Sequence, residues 1–531
     1  MSSFVGTVSL VRLALRRDRI ILVAFVVILV AVVAASASAT MGLYPDAASR
    51  VRTAAAVNSA TSALALYGPI HDETSIGALA MFKMGMFGAL AVAVLALFIV
   101  VRHTRTEEET GRLELLGATV VGRRAPLTAA LIVASGASLV AGMGTALGLI
   151  AVGLPVGGSV TMGAGFALLG IAFAAVAGVT AQLVKSARTA AGLAGMVLGV
   201  AYLLRAIGDT SAGGGLGWVS WLSPVGWWQK TWPFSGDRWW ALAPLLAIAV
   251  AMSALAYALA ARRDFAAGLL PDRPGPGAAA ASLRSPMALA WRLQRGALFA
   301  WTASLVVLGV VIGGLASNID SFLTSPQAKE LIISLGGVQS IRDAFLAVEM
   351  GMVGVVASVY GVQATMRLRT EESALRVEPL LATAVGRVKW AGSHLMIALV
   401  GAAVLLIVVG VSAGLASAVQ VGDSDQFGRV VVGALVQIPA VWLIIGIVVA
   451  AFGLVPRFIL IGWVALAAFV LLGEFGSLFD LSQTVMDISP FAHVPRMPGG
   501  DFAAAPLLWL TAIAAGLIAL GLAGFRRRDV G

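Results

Sequence analysis

The chain has 531 residues, 59% of them hydrophobic and 12% charged, with a mean hydropathy of +0.95 and a net charge of +10. That balance excludes a soluble globular domain, because apolar runs long enough to cross a bilayer recur along the whole sequence. There is no cysteine and the four histidines (His71, His103, His394 and His493) are scattered, which excludes disulfides, thiolate nucleophiles and His-Glu-x-x-His zinc sites.

Long helical runs, rather than alternating ten-residue strands, predict an all-α polytopic membrane protein. Leu10 to Arg19 reads as a basic amphipathic helix lying at the interface, followed by a first span from Ile20 to Ala39. Arg16-Arg17 before an apolar run ending in Ala-Ser-Ala-Ser-Ala39 also has the form of a cleaved leader. A retained span is preferred, because the second half opens similarly with Arg292, Arg295 and then Leu298 to Ser317. Met41 to Ile76 reads as an outer loop with a turn at Gly68-Pro69, and Ala78 to Val101 as the second span.

Next comes Arg105-Thr-Glu-Glu-Glu-Thr-Gly-Arg-Leu-Glu-Leu-Leu-Gly-Ala-Thr-Val-Val-Gly-Arg123, read as a charged helix over 105–118. Further spans follow at Ala125 to Val152, Met162 to Val184, Thr189 to Ile207 and Trp240 to Ala261. The outer stretch Asp209 to Arg238 holds a flexible joint at Gly213-Gly214-Gly215 and an aromatic cluster of Trp218, Trp221, Trp227, Trp228 and Trp232, as expected of an interfacial belt. Leu269 to Pro286, with Pro271, Pro274 and Pro276, reads as a linker.

The second half repeats the first. Arg369-Thr-Glu-Glu-Ser-Ala-Leu-Arg-Val-Glu-Pro-Leu-Leu-Ala-Thr-Ala-Val-Gly-Arg387 matches the charged stretch at 12 of 19 positions with an offset of 264, and gives a second charged helix over 369–382. Gly208-Asp209 matches Gly473-Glu474, Ser223-Pro224 matches Ser489-Pro490, Gly236-Asp237 matches Gly500-Asp501, and Arg262-Arg263-Asp264 matches Arg527-Arg528-Asp529. Six spans fit each half, the later ones at Phe345 to Ala364, Trp390 to Leu415, Val430 to Leu454, Phe458 to Leu472 and Leu507 to Phe525. The expected organisation is a first half 1–267, a linker 268–286 and a second half 287–531. Twelve spans would then form two six-helix repeats about a pseudo-two-fold axis along the membrane normal, with a pathway between them. Lys and Arg concentrate on the side carrying both charged helices, which places that side and both termini in the cytoplasm; the basic charge reports topology, not a nucleic-acid partner.

In each charged helix a Glu and an Arg stand four apart, Glu108 with Arg112 and Glu372 with Arg376, a favourable order for an ion pair. Glu107 with Glu114, and Glu371 with Glu378, lie seven apart on another face. Each copy alone fits a solvated helix; its duplication favours a docking surface for a cytosolic protein. Pro379 in place of Leu115 should shorten or kink the second copy. Lys83 and Glu349 occupy equivalent positions before Met84-Gly-Met86 and Met350-Gly-Met352. They fit snorkelling residues, a gate or substrate-contacting pair, or, for Glu349, a proton-coupling carboxylate. The methionines suit an adaptable substrate lining or ordinary packing. Arg205 and Asp209, four apart at the outer end of a span, form a structural pair in this reading. The outer acids Asp423, Asp425, Asp480 and Asp487 are not spaced as a catalytic pair, which disfavours a lipid- or glycosyl-transferring enzyme.

The Arg-Thr-Glu-Glu…Arg-x-Glu…Ala-Thr-x-Val-Gly-Arg repeat and Leu204-Arg-Ala-Ile-Gly-Asp209, in their six-span setting, resemble ABC exporter permeases. The fused, Cys-free form resembles the actinobacterial family of polyketide-antibiotic exporters, related to multidrug efflux permeases. The resemblance implies coupling helices that contact nucleotide-binding subunits through Glu107, Glu108, Arg112, Glu114, Glu371, Glu372, Arg376 and Glu378. It also implies an outer re-entrant lid around the Trp cluster, and export of amphipathic drug-like or natural-product molecules. No Gly-x-x-x-x-Gly-Lys-Ser/Thr phosphate loop is present on this chain, so the resemblance implies two copies of a separate ATPase carrying ATP and Mg, with no cofactor on this chain. The rival expectation is a proton-coupled drug transporter that works without an ATPase.

Overall fold

The computed structural model describes residues 3–117, 120–211, 215–264, 267–270, 277–316, 341–475 and 482–529. The described residues form helices and loops, in two compact units, Met1–Gly275 and Pro276–Gly531.

The first unit opens with α1, Thr7–Leu43. No Gly or Pro interrupts residues 7–41, so the expected interfacial helix Leu10–Arg19 is not a separate element but the first turns of one 37-residue helix. At 1.5 Å per residue it is about 55 Å long and projects beyond a hydrocarbon core of roughly 30 Å. The expected outer loop is also largely helical, Ala47–Ser59 and Thr61–Tyr67. The Asp46 side chain caps the first of these through Ser49 N at 2.7 Å. Gly68, at φ 91°, ends the second. Then come α2 (Ile76–Val101), α3 (Ala125–Ala151), α4 (Val156–Leu183), α5 (Ala187–Thr210) and α6 (Ala243–Arg262).

The second unit holds α7 (Pro286–Ala316), α8 (Ile341–Ser373), α9 (Arg387–Val421), a helix Ser424–Leu435, α10 (Ile438–Leu454), α11 (Ile461–Phe475) and α12 (Ala504–Arg527). The break before α10 falls at Val436–Gln437, where Pro439 lacks the N–H that would continue the ladder. Eleven helices among the described residues are long and apolar enough to cross a membrane. The fifth predicted span of the second half, Phe458–Leu472, is instead the 15-residue α11, about 22 Å long, after a 3-10 turn at Pro456–Phe458. Gly213, Gly214, Ser317, Asp480 and most of the prolines of the expected linker lie outside the described residues.

Both units use the same pairings: the first helix packs on the third, the second on the fourth, and the fourth on the sixth. Without water, helix association in a bilayer relies on close contact, and small residues permit it. At the α3–α4 crossing a Cβ on Gly142 would lie 2.2 Å from the Gly163 carbonyl oxygen, so neither position tolerates a side chain without separating the helices. The helix α4 is consequently the most enclosed in its unit, with 78% of its apolar window buried.

Candidate coupling site

The duplicated charged stretch begins where α2 and α8 end. In the first unit α2 widens into a π-helical turn at Arg102–Thr106, continues as Glu107–Glu109, breaks at Thr110-Gly111 and resumes as Arg112–Gly117. The expected continuous helix over 105–118 is therefore corrected: Gly111, at φ 69°, reverses the chain in its middle. In the second unit α8 runs unbroken to Ser373, and Leu375 takes the same left-handed conformation, φ 56°, at the position equivalent to Gly111. A four-residue helix, Glu378–Leu381, follows with Pro379 in its first turn, where the missing N–H costs nothing.

Because the chain reverses there, the expected four-apart pairs Glu108–Arg112 and Glu372–Arg376 do not form. Glu108 instead accepts from Arg105 Nη1 at 2.6 Å and from both Nη atoms of Arg263, at the end of α6. Glu372 accepts from Arg369 at 3.0 Å and pairs with Arg528, at the end of α12, at 2.6 Å. Arg263 and Arg528 are repeat equivalents, so each unit fastens the end of its second long helix to the end of its last with the same three charges. Arg105, only 1% exposed, also donates to the Ala181 and Ala267 carbonyls. A further equivalent pair closes the arrangement from outside: Arg123 donates to the Arg263 carbonyl, and Arg387 to those of Arg526 and Arg528.

Glu107 pairs with Arg17 of α1, and more distantly with Arg112 at 3.9 Å. Glu371 pairs with Arg367 at 2.6 Å and Arg376 at 3.6 Å. Where the second unit has Arg367 the first has His103, whose Nε2 lies 2.6 Å from Asp18 of α1, with Arg102 3.1 Å from the same carboxylate. Glu109 Oε1 accepts from Ala187 N at 2.8 Å and so satisfies the otherwise uncapped N-terminus of α5. After each reversal one residue is buried, Leu113 or Val377, between two exposed charges, Arg112 with Glu114 and Arg376 with Glu378. Each turn is thus rigidly held by its buried acids and presents an Arg-x-Glu pair to the surroundings.

A family model described as "Multidrug efflux system permease Rv1217c, C-terminal domain" matches residues 283–526. The multidrug efflux system permease protein Rv1217c of Mycobacterium tuberculosis is 46% identical over 532 residues, spanning 100% of this chain and 96% of the relative. The chain belongs to this family of multidrug efflux permeases.

In this permease Arg205 is fully buried and 3.5 Å from Asp209. It also donates to the Leu64 and Leu66 carbonyls at 3.2 and 3.1 Å, and Tyr202 and Gln229 reach Leu66 and Tyr67. These residues satisfy the C-terminal carbonyls of the short outer helix Thr61–Tyr67, a role without local sequence signal. Lys83 is exposed, its ammonium 5.8 Å from the Tyr67 ring centroid and 5.4 Å from that of Phe82. Glu349 is half-buried. The methionines divide unequally: Met86 and Met350 are buried, Met84 is half-buried and Met352 exposed. The Trp cluster forms a compact cap of short helices at Gly217–Leu222, Pro224–Gln229 and Trp239–Leu242. Trp228 packs on Phe166 of α4, and Trp221 stacks on Trp240 at 5.6 Å. Ser223 Oγ donates to the Ala201 carbonyl of α5, as its equivalent Ser489 does to Phe469 of α11.

Proposed function

We propose that the permease is the membrane subunit of an ATP-driven ABC exporter that moves amphipathic drug-like or natural-product molecules out of a bacterial cell. Two copies of a separate cytosolic ATPase, carrying ATP and Mg, dock on the two duplicated turns. The chain is multi-pass in the plasma membrane with both termini cytoplasmic, and its halves alternate between inward- and outward-open arrangements as the ATPase dimer closes. The observation that carries this reading is the duplicated clamp: in both units a surface Arg-x-Glu turn is joined by buried charge to the ends of two membrane helices. A push on such a turn reaches α2 and α6, or α8 and α12, without being absorbed by a soft loop. In the first unit it also reaches α1 through Arg17 and α5 through Glu109.

Burial divides the eight acidic and basic residues of the sequence reading into two roles. Glu107, Glu108, Glu371 and Glu372 transmit; Arg112, Glu114, Arg376 and Glu378 meet the partner. The test is co-purification with a candidate ABC ATPase from the same organism. Arg112→Glu with Glu114→Arg, combined with Arg376→Glu and Glu378→Arg, should abolish ATPase binding and drug efflux while the chain stays folded. Efflux that survives this change, without a bound ATPase, and that fails on Glu349→Gln would establish the proton-driven rival.

A further inference from the structure

We propose that the groove between α1 and α3 holds one anionic phospholipid, its phosphate on Arg12, Arg16 and Arg19 and an acyl chain between the helices. The groove has a volume of about 420 Å³ and an aliphatic lining that includes Leu22, Val26, Val27, Ile132, Val133 and Val140. Such a void lies within the range of small-molecule sites, roughly 300–1,000 Å³, yet offers almost nothing to a polar ligand.

Charge decides the occupant. Arg12, Arg19 and the groove residue Val26 succeed one another at seven-residue spacing, as do Arg16 and Val23, so the arginines run beside the part of the groove lined by Val11 and Leu15. On the same helix Arg17 and Asp18 are already paired, with Glu107 and with Arg102 and His103. Arg12, Arg16 and Arg19 are exposed and pair with no acid among the described residues. Three cations beside an aliphatic slot match a phosphate joined to a hydrocarbon chain. A free phosphate would leave the slot unused, and a zwitterionic lipid would bring its own cation to the arginines.

In the second unit the equivalent helix pair packs closely. There Gly309 and Gly313 of α7 let the backbone of α9 approach so nearly that a Cβ on Gly313 would lie 2.2 Å from the Ala413 carbonyl oxygen. In α1 no glycine occurs among residues 7–41, and Val26 and Val30 meet Gly144 of α3 instead, holding the helices apart beside the groove.

The test is native mass spectrometry of the full-length permease in detergent, titrated with dioleoyl phosphatidylglycerol or dioleoyl phosphatidylcholine, with glycerol 3-phosphate as competitor. One tightly retained phosphatidylglycerol is expected, undisturbed by glycerol 3-phosphate. At about fivefold per arginine, Arg12→Gln, Arg16→Gln and Arg19→Gln together should weaken it roughly a hundredfold. Val26→Trp, which fills the slot and keeps the charges, should also release it, and Arg19→Gln alone serves if the triple variant fails to fold. Equal retention of phosphatidylcholine, displacement by glycerol 3-phosphate, displacement by a transported drug, or indifference to Val26→Trp would each overturn the proposal.

Discussion

Replacing Glu108 by Gln isolates the buried clamp with almost no change of shape. The carboxylate accepts from Arg105 at 2.6 Å and from Arg263 at 3.0 Å and through a second, shorter contact. Its loss leaves two guanidinium groups, one of them 1% exposed, without their anion. Removing one partner from a buried ion pair costs about 3–5 kcal/mol. Arg105 keeps two backbone carbonyls and Arg263 keeps Gln182, so the expected value is the lower end, about 3 kcal/mol. Glu372→Gln should cost less, about 2 kcal/mol, because Arg369 is 36% exposed and water takes up part of the loss. Glu114→Gln, on the exposed side of the same turn, should stay within about 0.5 kcal/mol. Reversible unfolding in mixed micelles, followed by far-UV circular dichroism, gives all three values. Equal, small effects of Glu108→Gln and Glu114→Gln would refute the assignment of Glu108 to a buried clamp.

The left-handed residue at each reversal gives a second test: Leu375→Gly should stabilise by about 0.5–1 kcal/mol in the same unfolding assay, and Gly111→Leu should destabilise by about 1 kcal/mol. No atom lies within 4 Å of a Cβ at Gly111, so that cost comes from the backbone alone. Ser223→Ala removes bonds to the Ala201 carbonyl and the Gly226 amide and should cost about 1–2 kcal/mol, against about 1 kcal/mol for Ser489→Ala, by thermal stability in micelles. In the outer segment, loss of water around the ring and then the nearby Lys230 and Arg238 charges push the His71 pKa down to about 4. As a base lowered from 6.5, it favours the neutral native form, so any stability it confers is present above pH 6.5 and fades as pH falls towards 4. The fluorescence of Trp232, stacked on His71 at 4.0 Å, should therefore be flat between pH 5 and 8 in the wild type relative to His71→Gln; a transition near 6.5 would contradict this.

Hydropathy and the repeat made the helical class, the long spans and the equivalence of the two charged stretches legible in the sequence. What lay beyond reading was partnership at long range. Helical spacing pairs the acids of the turn with arginines four residues on; one left-handed residue redirects Glu108 and Glu372 to Arg263 and Arg528, 155 and 156 positions away. Gly111 offered a signal for the break, but Leu375 in the same conformation offered none. The pairings of Arg17 with Glu107 and of Asp18 with His103 have no local sequence signal for a similar reason, since they depend on how α1 crosses the π-turn. Position 205 was legible as half of a pair with Asp209, while its bonds to Leu64 and Leu66 required the outer helix to be seen.

The central claim is that this efflux permease is worked from the cytosol through two rigid turns. Its most direct test is drug transport into sealed inside-out vesicles containing the permease, with and without the proposed ABC ATPase partner and ATP. The account predicts uptake only when both are supplied, and its loss when Arg112, Glu114, Arg376 and Glu378 are charge-reversed. Uptake driven by a proton gradient in vesicles holding the permease alone would contradict it.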